Sequence, residues 1–86
     1  MSKIVSDYRI VVSGNEFTAP EMRRFHLQGE VEWDGEIKKM TSSPIVSVDD
    51  NVVTTRSGST YILGERADGF DTFADVRKLH PAVPLN

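Results

Sequence analysis

His26 and His80 are the only imidazoles in this 86-residue chain, and it contains no cysteine. A nucleophilic triad needs a hydroxyl or thiol, a base and an orienting carboxylate converging on one point. His26 falls among Arg24, Gln28 and Glu30, and His80 stands beside Pro81 at what reads as a helix end, where a cation meets the negative end of the dipole. Neither histidine is accompanied by a nucleophile elbow or by metal-ligand spacing. The lack of cysteine removes disulfides, thiolate nucleophiles and Cys-rich zinc sites together. Asp49-Asp50-Asn51 offers oxygen ligands, but it lacks the spacing, the mid-loop glycine and the closing glutamate of a calcium loop, and reads as a turn. The expectation is a protein that is not an enzyme and has no metal and no cofactor.

Binding is the better-supported class of chemistry. Thr54-Thr55-Arg56-Ser57-Gly58-Ser59-Thr60-Tyr61 is rich in hydroxyls and holds one cation, Arg56, yet has neither the glycine pattern nor the following helix of a phosphate cradle. It reads as a hairpin, or alternatively as a small-ligand or sugar pocket containing Arg56 and Tyr61. Glu30, Glu32, Asp34 and Glu36 alternate along a second hairpin, where they form either an acidic recognition edge or a solvated face that deters aggregation. Trp33 sits at the tip of that hairpin. By default it is a core anchor, since a small barrel needs one large side chain; exposed, it becomes a hot spot beside the acidic rim. A nucleic-acid-binding reading would draw on Arg9, Arg23, Arg24 and Arg56 with Tyr8, Phe25 and Tyr61 as stacking platforms.

These residues need elements to position them, and the composition favours strands. Valine, isoleucine and threonine number 10, 5 and 6, against 4 leucines and 4 alanines. Ile4 to about Ser13 reads as a strand with Ile4, Tyr8, Ile10 and Val12 inward. From Arg24 to Trp33 the odd positions Phe25, Leu27, Gly29, Val31 and Trp33 alternate with polar residues, the mark of a strand with one buried face. Gly29 marks a bulge or bend in it. Asp34-Gly35 is a two-residue hairpin turn, which sets Glu30 opposite Lys39 and Val31 opposite Lys38 on a strand from Glu36 to about Ser42.

Ser43-Pro44 makes a corner. Beyond it, turns at Asp50-Asn51 and Ser57-Gly58 predict a three-strand meander with Val46, Val48, Val53, Thr55, Thr60 and Ile62 on one face. Ile45, Val52, Thr54, Tyr61 and Leu63 then share the other. Phe70, Phe73, Val76 and Leu79 recur every third residue, predicting a helix over about 71–79 capped by Asp71 or Thr72, with a frayed or extended tail over 81–86.

The fold class that follows is mainly β: five or six antiparallel strands in a strongly twisted sheet or small SH3-like or open barrel, with one short C-terminal helix. The length allows one domain, over 1–80. Ten basic against thirteen acidic residues give a formal charge of −3. Neither half is basic, which disfavours generic binding to phosphate backbones. No stretch approaches the roughly 20 apolar residues of a membrane span, and a cytoplasmic location is expected.

The run TSSPIVSVDDNVVTTRSGSTYILGE, Thr41 to Glu65, resembles the hydroxyl-rich hairpins of small uncharacterised proteins encoded by bacteria and their phages or mobile elements. That resemblance covers under a third of the chain and brings no active site. By analogy with anti-CRISPR proteins it implies a stoichiometric regulator or inhibitor of a host system. The reading is therefore a protein-interaction module, using an edge strand or the hairpin around Trp33, with a homodimer through an edge strand as an addition.

Overall fold

The computed structural model describes residues 3–85. Six strands and one helix follow in the order β1 (Lys3–Val12), β2 (Phe25–Trp33), β3 (Glu36–Thr41), β4 (Ile45–Asp49), β5 (Val52–Thr55), β6 (Thr60–Leu63) and α1 (Phe73–Leu79), with one 3-10 turn at Pro20–Met22. The sheet order is β3-β2-β1-β6-β5-β4. Two antiparallel meanders, β1–β3 and β4–β6, are thus joined through their inner strands, and that junction is parallel: Lys3 lies beside Tyr61 and Val5 beside Leu63. Four of the five pairings are antiparallel, as expected of a mostly antiparallel fold; the β1–β6 pairing makes the sheet mixed, because β6 returns in the same direction as β1.

The order forces curvature. Laid flat, β3 and β4 would be opposite edges about 24 Å apart at ~4.8 Å per strand spacing. Only Ser42, Ser43 and Pro44 connect them, a reach of roughly 14 Å at full stretch. The sheet therefore rolls until its two ends meet at this corner without closing into a barrel. The Ser42 amide donates to the Leu27 carbonyl at 2.8 Å, and the Arg56 amide donates to the Pro44 carbonyl at 2.8 Å. The Leu27 amide in turn donates to Ser42 Oγ at 2.9 Å. Ser42 is buried, and these bonds satisfy it.

Alternation in β2 holds as read, with Phe25, Leu27 and Val31 buried. In β1 it changes phase. Between the pairs Ser6–Glu30 and Arg9–Gln28, β1 has two residues where β2 has only Gly29. Asp7 takes up the extra residue with φ 52. Val5 therefore faces the core before the bulge, and Tyr8 and Ile10 face it afterwards. Ile4, expected inside, is 59% exposed. Gly29 permits this crossing: a Cβ there would lie 2.4 Å from Val5 Cγ1 and 2.9 Å from the Ser6 carbonyl oxygen.

The second meander also departs from the expected register. Asp50-Asn51 is the expected two-residue turn, closed by Asp49 and Val52. The β5–β6 loop, however, holds three residues, Arg56 to Gly58: the Thr55 amide donates to the Ser59 carbonyl at 3.0 Å and the Gly58 amide to the Thr55 carbonyl at 2.9 Å. Gly58, at φ 88, supplies the left-handed residue of that loop. One extra loop residue sets Val53 opposite Tyr61, so Tyr61 and Leu63, in place of Thr60 and Ile62, share the face of Val53 and pack on the core. A register shift between Ile45 and Ser47 likewise places Ile45 inward with Val48 and Val53.

The helix begins where expected, with Thr72 Oγ1 accepting from the Asp75 amide at 3.3 Å. Phe73 meets Phe25 edge to face at 5.6 Å between ring centroids, and Val76 is buried. Phe70 and Leu79, the outer members of the expected apolar row, are exposed instead. The tail folds back: Val83 is buried and Leu85 packs against the core. With only seven residues, the helix leaves core surface that the tail covers.

Candidate interaction surface on the first hairpin

Asp34 at φ 55 and Gly35 at φ 81 form the turn between β2 and β3, and the register follows as Trp33–Glu36, Glu32–Ile37, Val31–Lys38 and Glu30–Lys39. The pleat divides these side chains between two faces. Trp33, Glu36 and Lys38 share the concave side with Val31. Glu30, Glu32, Ile37 and Lys39 share the convex side.

The four carboxylates therefore do not line one edge. Glu30 stands opposite Lys39, Glu32 opposite Ile37, and Asp34 occupies the turn. Glu36 is 3.9 Å from Lys38 Nζ in an exposed ion pair, a contact that contributes little to stability. The hairpin thus carries both signs of charge, with Glu30 facing Lys39 across the strands and Glu36 beside Lys38 along β3.

Trp33 is 54% exposed, so it is not the core anchor. The core is filled by Phe25, Leu27, Ile45, Val5 and Val53, all fully buried. The ammonium of Lys3 lies 3.9 Å from the Trp33 ring centroid, a cation–π contact that holds the indole at the mouth of the rolled sheet. Lys3 pairs on its other side with Tyr61. Lys3, Tyr61 and Gly58 to Thr60 line a shallow cleft of about 350 Å³. Arg56 does not line it. Tyr61 and Trp33 are thus brought near one lysine, while Arg56 is carried away on the β5–β6 loop.

On the convex side one transverse row is apolar but for Glu32. Ile37 of β3 sits opposite Glu32 of β2, Ile4 of β1 is beside Ile62 of β6, and Ile62 is opposite Val52 of β5. Ile37 is 72% exposed. This row was not read from the sequence. Its signal in the sequence is an isoleucine among charges, Glu36-Ile37-Lys38-Lys39, and Ile4 reaches this face only through the β1 bulge.

The other sequence candidates have structural partners. Ser57 Oγ accepts from Ser43 Oγ at 3.1 Å, lies 3.1 Å from Thr55 Oγ1 and donates to Ser59 Oγ at 3.4 Å. The hydroxyl tract thereby ties the β5–β6 loop to the β3–β4 corner. His26 Nδ1 is 2.9 Å from the Ser42 carbonyl, and since a carbonyl only accepts, Nδ1 carries the proton. Tyr8 and Phe25 are core residues, out of reach of a stacking base. Among the described residues no group of three or more histidines and carboxylates is placed to hold a metal ion. Among the described residues no helix is long and apolar enough to cross a membrane.

A second exposed aromatic also escaped the sequence reading. Phe17 is 88% exposed on a loop fixed by its own polar groups. The Phe17 amide donates to Asn15 Oδ1 at 2.9 Å, Arg23 Nε donates to the Thr18 carbonyl at 3.1 Å, and the same guanidinium reaches the Asn15 carbonyl.

No protein-family model matches the chain, and no curated protein or solved structure is significantly similar to it.

Proposed function

We propose that this chain is a non-catalytic protein-interaction module that binds through the β2–β3 hairpin. The carrying observation is that Trp33 and Ile37, two large apolar side chains, stand exposed on opposite faces of one hairpin whose outer strand has a free edge. Tryptophan is enriched among binding hot spots, and a free strand edge offers main-chain hydrogen bonds to a partner's extended segment. Glu30, Glu32, Asp34, Glu36, Lys38 and Lys39 surround these anchors with both signs of charge, a rim suited to selecting a partner. Tyr61 extends the concave side of the surface. Arg56, on the β5–β6 loop, does not line the cleft beside Tyr61.

The absence of cysteine fits a cytoplasmic setting. The class of module we propose is a stoichiometric regulator or inhibitor. Such a protein works by occupying a partner's surface, and it needs no reactive side chain.

The test uses the full chain as bait in its native host, with Trp33→Ala and Ile37→Lys beside the wild type and Phe17→Ser as a folded surface control. Capture of a defined protein that both hairpin variants lose and the control keeps supports the reading. Capture indifferent to both hairpin variants overturns it. Retention on mixed single- and double-stranded nucleic acid that falls steeply with salt favours the nucleic-acid alternative.

A further inference from the structure

The two outer strands of the sheet are not equivalent. Beside β4, α1 sets Phe73 and Ala74 along a cleft shared with Val48. β3 is the barer of the two: five of its six residues are exposed, Met40 being the exception, against two of five in β4, and none is proline.

The direction of its backbone groups follows from the turn. A two-residue turn makes Trp33 and Glu36 a hydrogen-bonded pair, so Glu36, Lys38 and Met40 direct N–H and C=O toward β2. The bond from the Ser42 amide to the Leu27 carbonyl keeps the same phase two residues beyond Met40. Ile37, Lys39 and Thr41 therefore direct theirs off the free edge.

Two copies meeting at this edge about a two-fold axis pair antiparallel. Because opposed residues must share a face, the axis must pass through a residue. Centred on Lys38 or on Lys39, the pairing sets a lysine directly against its own symmetry mate, which destabilises it. Centred on Met40, it requires the chain around Ser42, which is buried and committed to Leu27 and Ser43. Centred on Ile37, the same strand is self-complementary. Ile37 opposes itself with both backbone groups free to exchange hydrogen bonds, and Glu36 of each copy opposes Lys38 of the other.

We propose that β3 pairs antiparallel with β3 of a second copy, with Ile37 on the two-fold axis. This rests on reading the hairpin as an interaction surface and names one partner for it. Lys38 and Lys39 then act as register selectors: they exclude the longer overlaps and leave one short one. On the convex face the two Ile37 side chains then meet across the axis, with Glu32 of each copy next inward.

The test is sedimentation velocity of the full chain over a series reaching millimolar concentration. Glu36→Lys and Lys38→Glu each place like charges opposite one another at two symmetric positions, and each is expected to weaken the dimer at least tenfold. The double swap, Glu36→Lys with Lys38→Glu, restores complementarity and is expected to return the dimer to near wild-type strength. Ile37→Pro removes the central donors and is expected to abolish it. Both charged side chains are well exposed, so the swaps leave folding intact, checked by circular dichroism. A wild type that stays monomeric throughout overturns the proposal, as does a dimer indifferent to the single swaps or one that the double swap fails to restore. Loss of the dimer with Trp33-dependent capture retained removes only this proposal; a dimer without such capture removes only the broader reading.

Discussion

The two meanders are built from the same period-two logic, yet their registers are set differently. In β1–β2–β3 the strands run to ten and nine residues before the six of β3, and one Asp-Gly turn agrees with the long alternation of β2. In β4–β5–β6 no strand exceeds five residues, and both faces carry bulk, so the loop decides which face turns inward. A long half-buried strand resists slipping because a slip would expose its whole apolar row; a strand of four residues has little to lose.

The sharpest way to break this comparison is to ask whether the meanders are separate units. Leu27→Ala in the first and Ile45→Ala in the second each empty a fully buried site, and each is expected to cost about 3 kcal/mol. Urea denaturation should show one transition in both variants, since the two residues share a core. Two transitions would divide the protein at the parallel β1–β6 seam.

Gly29→Ala tests the bulge that gives β1 its change of phase. The added Cβ would press on the Val5 side chain and on β1 backbone, at an expected cost of about 2 to 3 kcal/mol by the same measurement. An effect under about 0.5 kcal/mol, the range of an ordinary surface change, would mean β1 can lift away freely. In the second meander, Gly58→Ala strains a residue at φ 88 with no neighbour in its way. The expected loss is about 1 kcal/mol, from backbone conformation alone. A neutral result would indicate that the β5–β6 loop has a second accessible geometry.

The smallest effect belongs to Lys3→Ala. The cation–π contact is expected to contribute about 0.5 kcal/mol at an exposed site, while the emission of the single tryptophan should change measurably. An unchanged spectrum would place Lys3 away from the indole in solution.

Much of the first meander was legible in the sequence, because Phe25, Leu27 and Val31 announce their face over seven residues and Asp34-Gly35 admits few turn types. The hidden part was Asp7. A bulge has no composition of its own when the residue that makes it is a common polar one, and only the opposed Gly29 hinted at it. In the second meander Ser57-Gly58 suits a two-residue and a three-residue loop alike, and the shorter loop sets Tyr61 and Leu63 on the face opposite Val53 instead of beside it. For the candidate surface, Trp33 and the carboxylates were found by residue type. Lys3, Ile37 and the convex row were missed, because they become neighbours only through strand pairing.

Periodicity and turn chemistry by themselves determined a mainly β chain with one C-terminal helix, the β2–β3 hairpin and its register, since these depend on contacts between residues near in sequence. The parallel seam, the rolling of the sheet, the exposure of Trp33 and the bare β3 edge were decided by tertiary structure alone. Their cause is long-range: a three-residue corner must join the two outermost strands, and the sheet has to bend around one core to allow it.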